Sequence, residues 1–147
     1  MDSRDLIEKL KDQNTWRLLG LGVITYGIYF AYYIKRQTDK INIHLDEDTA
    51  ISNGFISSIF VMSFLSAALS ILYVMVPYGH PVLAVSDVVG RISTIMWLVW
   101  GFKARNRVHA VCSFNKDNKS WFHGFWTFLF TPLYFNYKVN QLNEYSV

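Results

Sequence analysis

Cysteine and charge are both scarce in this sequence, and several signatures of soluble chemistry are missing. Cys112 is the single cysteine, so no intrachain disulfide can form, and no Cys or His spacing makes a zinc site. His109 and Cys112 lie about one turn apart but lack a third and fourth ligand, and His44 beside Asp46, Glu47 and Asp48 is no better as a metal site. No nucleophile elbow, phosphate loop, HExxH or paired catalytic carboxylates occur, so neither an enzyme nor a bound cofactor is expected. Charged residues make up 17% of the 147, against about 25% in an average soluble domain. Hydrophobic residues reach 52% and aromatics 17%, which excludes a disordered tail or a solvated repeat.

What charge there is clusters between long apolar stretches. The net charge is +3, but the 14 basic residues flank apolar segments rather than alternating with aromatics, which points to lipid and away from nucleic acid. In residues 1–17, Leu6, Ile7 and Leu10 at helical spacing among mixed charges predict a short amphipathic helix on the membrane surface. Leu18 to Ile34 is 17 residues without a charge, the lower limit for crossing about 30 Å of hydrocarbon. No small-x-small cleavage site follows it, so it is expected to remain in the mature chain.

Residues 35–53 are polar, with Asp48 a plausible N-cap for the next helix. Gly54 to Val76 is free of charge for 23 residues, about 34 Å as a helix, and gives the strongest transmembrane signal. Pro77-Tyr-Gly-His-Pro81 is a tight turn, and Val82 to Phe102 can return across the bilayer. Residues 103–120 read as a basic loop whose Lys103, Arg105, Arg107, Lys116 and Lys119 mark the cytoplasmic side. Trp121 to Tyr137 is a last apolar stretch, interrupted by Pro132.

A shift of 105 residues places Thr15-Trp16 on Ser120-Trp121, Tyr29-Phe30 on Tyr134-Phe135 and Tyr32 on Tyr137. It also lays Thr25-Tyr26-Gly27-Ile28 on Phe130-Thr131-Pro132-Leu133, so a Gly or Pro interrupts both copies at the same place. Matched breaks suggest half-helices that dip into the bilayer and return. If both copies return, 13 of the 14 basic residues share one side, whereas full spanning leaves 8 inside and 5 outside. The positive-inside rule favours the first arrangement, with four short spanning helices as the alternative.

The expected architecture is therefore an all-α integral membrane protein forming one membrane domain over 1–147. A central transmembrane hairpin, Gly54 to Phe102, is flanked by two repeated short apolar modules.

The string from Trp16 through Gly20-Leu-Gly-Val-Ile-Thr-Tyr-Gly-Ile-Tyr-Phe-Ala-Tyr-Tyr33 to Thr38 resembles the T-x-G-I-Y-x-x-Y/W-Y signature of the domain of unknown function 4234 family. Leu133-Tyr-Phe-Asn-Tyr-Lys-Val-Asn140 looks like the aromatic-lysine-asparagine ending of the same family, while Tyr26 stands where that family usually has Leu. The resemblance implies a small multi-pass protein of the bacterial inner membrane and no activity.

Within the span, Asp87 and Arg91 sit one helical turn apart, with Thr94 and Leu98 continuing the face. Charges at such depth are expensive and usually face a partner or water, which makes Asp87, Arg91 and Thr94 a candidate pore face or a self-neutralised packing pair. Ser63, Ser66, Ala67 and Ser70 on one helix, and Ser86 and Gly90 on the other, form small-residue stripes suited to close helix packing. Two or three helices cannot enclose a pore, so conduction requires a homo-oligomer. A larger membrane partner seated on the stripes is the alternative, as is an anionic lipid or ligand held by Lys103, Arg105 and Arg107. Trp16, Tyr29, Tyr32, Tyr33, Trp97, Trp100, Trp121, Tyr134 and Tyr137 suit anchoring at the headgroup level.

Overall fold

The computed structural model describes residues 3–117 and 119–144. Among these it contains seven helices and no strand: α1 Ser3–Leu10, α2 Thr15–Ile24, α3 Ile28–Asn42, α4 Asn53–Met75, α5 Pro81–Cys112, α6 Gly124–Phe130 and α7 Leu133–Glu144.

Two helices dominate. In α4 no residue is charged over 23 positions, and the helix stops where Pro77 can supply no backbone donor. Pro81 opens α5 at its first turn, where a missing N–H costs nothing, and the His80 ring accepts from the Val82 N–H at 3.2 Å. The two run antiparallel, since Trp97 meets Ser63 while Ser86 and Ser70 share a groove. Both are long and apolar enough to cross a membrane, and only 22% and 6% of their most apolar stretches are buried inside the protein. A soluble core helix would bury that surface, whereas here Val61, Leu72, Val74, Val85, Val88 and Ile95 all face outward.

Two expected boundaries shift. The helix α5 does not end at Phe102 but runs 32 residues to Cys112, about 48 Å, so Lys103, Arg105 and Arg107 stand on a helix rather than in a loop. It stops at Ser113, whose left-handed backbone directs its N–H to the His109 carbonyl. The cap of α4 is Ser52, not Asp48.

The short helices come in two folded-back pairs. Tyr26 and Gly27, both at positive φ, break the chain between α2 and α3, and the Gly27 N–H closes onto the Gly22 carbonyl at 2.7 Å. Gly22 leaves room for the Phe30 ring, which a Cβ there would meet at 2.2 Å and displace. The chain then returns: Tyr29 donates its hydroxyl proton to Gln13 Oε1 at 3.0 Å, and Asp12 accepts from Arg36 and Gln37. At the other end of the sequence the break falls at Thr131 and Pro132. The His123 N–H donates to Tyr134 Oη and Lys138 Nζ to the Lys119 carbonyl, so α7 retraces α6. Both pairs extend past the expected limits of 34 and 137, because α3 and α7 continue as polar-faced helices.

The core sits where these pairs meet the lower part of α5. Trp100 is fully buried between Tyr33 and Phe135, and its indole N–H donates to Thr38 Oγ1 at 2.8 Å. Around it lie Ile34, Ile41, Ala104, Val108, Val139 and, from α1, Leu6 and Leu10. The apolar face of α1 is therefore taken up by protein, which corrects the expected membrane-surface helix; residues 1 and 2 of that segment lie outside the described residues. Asn136, Asn140 and Asn143 stitch α7 to the Gln13 and Ile7 carbonyls.

Candidate functional site

Asp87, Arg91 and Thr94 line one groove of about 730 Å³ between α4 and α5. The far wall carries Ser66, Ser70 and Tyr73, and Ser86 and Gly90 complete the floor. Ten residues separate Pro81 from Arg91, about 15 Å along the axis, so Arg91 lies well inside the long apolar helix rather than at its end.

The small-residue stripes divide in two. Ser63 and Ala67 are buried in the contact, whereas Ser66, Ser70, Ser86 and Gly90 border the groove. A Cβ on Gly90 would find Ser66 Oγ at 3.9 Å, ordinary contact, so the helices stand apart at this level. Ser70 and Thr94 donate to their own helix carbonyls, Ser66 and Gly90, at 2.8 and 2.9 Å. That satisfies each hydroxyl proton and leaves the oxygen lone pairs available.

Among the described residues, neither Asp87 nor Arg91 forms an ion pair or hydrogen bond, with the other or with anything else, and both side chains are exposed. Their spacing would permit an i,i+4 bridge. Instead the groove presents one charge of each sign, unmatched.

About one turn past Thr94 along α5, beyond the residues that line the groove, stands Trp97. Its indole N–H donates to Ser63 Oγ at 3.3 Å, its ring meets Phe30 edge-on, and a Cβ on Gly27 would come within 2.7 Å of it. The first chain break is thus docked on Trp97. The second lies one turn further along α5, where Thr131 fills the space a side chain at Gly101 would need. Spacing along α5 links Thr94 to Trp97, but only the tertiary fold reveals that Trp97 seats the first break. Headgroup anchoring is overturned for Trp100 and Tyr33, which are fully buried, while Trp97 is half-buried against the core and Trp16 remains 79% exposed.

The basic residues of α5 do not form one patch. Lys103 lies over the Phe55 ring at 5.9 Å, whereas Arg105 lies over Phe102 and Trp121 on another side, and Arg107 Nε is buried without a partner. Beyond the spanning part, His109 accepts from the Phe122 N–H through Nε2 at 3.0 Å and stacks on Trp121 at 3.9 Å. Burial, with Arg105 nearby, lowers its pKa to about 4, and burial pushes the Cys112 thiol up to about 11. Both are neutral near pH 7, and the His109 nitrogen that could bind a metal is already used. No group of three potential metal ligands occurs among the described residues.

Comparison with known proteins gives one match. Residues 13–110, from the start of the first folded-back pair to near the end of α5, match the model of the domain of unknown function 4234 family. The Leu133–Asn140 string lies outside the matched residues. No curated protein and no solved structure matches the chain.

Proposed function

Because the chain belongs to the domain of unknown function 4234 family, which assigns no activity, we propose its role from geometry: a homo-oligomeric, pore-like protein of the bacterial inner membrane. The pathway is the α4–α5 groove, with Asp87, Arg91 and Thr94 on the assembly axis.

The observation that carries this reading is the pair of unmatched charges on an exposed face within the span. Each charged side chain held at mid-bilayer costs roughly 2.5–3.5 kcal/mol, so Asp87 and Arg91 belong against water or a second protein surface rather than hydrocarbon. Self-association around the groove supplies both.

The flanking pairs fit as duplicated re-entrant modules. The helices α3 and α7 begin at Ile28 and Leu133, 105 residues apart, directly after breaks that dock on neighbouring turns of α5. Both termini of each module then lie on the cytoplasmic side with the basic residues, and α4 and α5 form the one spanning hairpin.

Charge reversal at Asp87 (Asp87→Lys) should change ion flux into liposomes while oligomer mass stays that of the parent. Unchanged flux, or none in the parent protein, overturns the proposal. A second protein co-purifying in fixed stoichiometry through this face would instead make the chain an accessory subunit. Sensing by Lys103, Arg105 and Arg107 is disfavoured because they do not converge.

A further inference from the structure

Resting on the reading of the groove as a polar space within the bilayer, we propose that it binds a dipolar group, with an ammonium at Asp87 and an anionic end, phosphate or carboxylate, at Arg91.

The two charges face one space, about 6 Å apart along the helix axis, and neither is consumed by the other or by a neighbour. A ligand of single charge satisfies one and leaves the opposite one exposed at depth, a costly arrangement. A ligand carrying both signs matches both and keeps the filled groove neutral.

The hydroxyls agree with this polarity. The Ser70 and Thr94 protons are already donated to backbone carbonyls, so these oxygens present acceptors to the N–H or O–H donors of such a group. A volume of about 730 Å³ lies within the range of small-molecule sites.

The order of the charges adds direction. Asp87 lies nearer the Pro77–Pro81 turn and Arg91 deeper. A zwitterionic phospholipid entering from that leaflet carries its amine outward of its phosphate, since the phosphate is tied to the acyl chains. A free zwitterion of the same chemistry fits with no such constraint.

Thermal-shift titration in mild detergent tests the shared chemistry. Phosphoethanolamine should bind at least about tenfold more tightly than ethanolamine or inorganic phosphate alone, and Asp87→Asn and Arg91→Gln should each weaken it about tenfold. Equal binding of the single-charge probes, or full affinity in both variants, overturns the proposal.

The source is separated by the swap Asp87→Arg with Arg91→Asp, which keeps both signs one turn apart. A free zwitterion can turn end for end and stay bound. A lipid held by its chains cannot, so native mass spectrometry from nanodiscs of phosphatidylethanolamine and phosphatidylglycerol should show retained phosphatidylethanolamine in the parent and its loss in the swap. Retention of both lipids alike in parent and swap, with phosphoethanolamine binding intact, assigns the groove to free zwitterions. Oligomer mass measured on the same samples distinguishes an empty groove from failed assembly.

Discussion

The two ends of α5 treat polar groups in opposite ways. At the lower end most buried polar side chains are bonded, Thr38 to Trp100, Gln37 to Asp12, Asn136 to Gln13 and His109 to Phe122, with the Tyr33 hydroxyl and Arg107 Nε as exceptions. At the upper end Asp87 and Arg91 are exposed and bonded to nothing. Buried polar groups that find partners specify a fold, whereas charges left unmatched on an apolar helix stay free to take one. On the reading proposed above, the lower end is the scaffold and the upper end the working face.

The largest expected break in that contrast is at Trp100. Trp100→Ala should cost about 3–5 kcal/mol by opening a cavity and removing the indole donor to Thr38 Oγ1, which keeps only its own bond to the Ile34 carbonyl. Leu72→Ala, on the outward face of α4, should stay within about 0.5 kcal/mol in detergent. Denaturant unfolding in mixed micelles measures both, and equal losses would erase the distinction between the ends.

A smaller effect is expected at Asp12, whose carboxylate joins the α1–α2 connection to Arg36 and Gln37. Asp12→Ala should destabilise by about 1.5–3 kcal/mol, as for a hydrogen bond to a charged group. The matching change at the upper end, Asp87→Ala, should leave unfolding of the monomer unaltered, because Asp87 bonds nothing there.

The smallest effect is set by pH. The pKa of His109 is lower in the fold than in the unfolded chain, so the unfolded state binds the extra proton first. Its contribution to stability should be complete above the ordinary histidine value of 6.5 and decline as pH falls toward about 4. In His109→Gln, whose amide oxygen can still accept from the Phe122 N–H, this part of the acid dependence should flatten. An unchanged profile would show that the Trp121–Phe122 segment is held by other contacts.

Much of this was legible in the sequence, and the gaps have physical causes. The 23-residue apolar run of α4 admits one reading, and the Gly27 and Pro132 positions announced both breaks. Spacing alone put Asp87, Arg91 and Thr94 on one face. The length of α5 was hidden because basic residues after an apolar run look like a loop, although a helix carries them equally well. The burial of α1 was hidden because an apolar stripe does not reveal whether lipid or protein covers it. Tyr33 and Trp100 were misplaced because aromatic rings suit a headgroup layer and a core alike, and only contacts such as that of Trp100 with Thr38 separate the two. The opposite wall of the groove, with Ser66, Ser70 and Tyr73, depends on the register between α4 and α5, which no single helix encodes.

The unbroken course of α5 gears the two ends together. Arg91, Trp97, Trp100 and His109 are carried on one rod without an interruption, so the groove, the seats of both chain breaks and the His109 contact keep a fixed spacing along it.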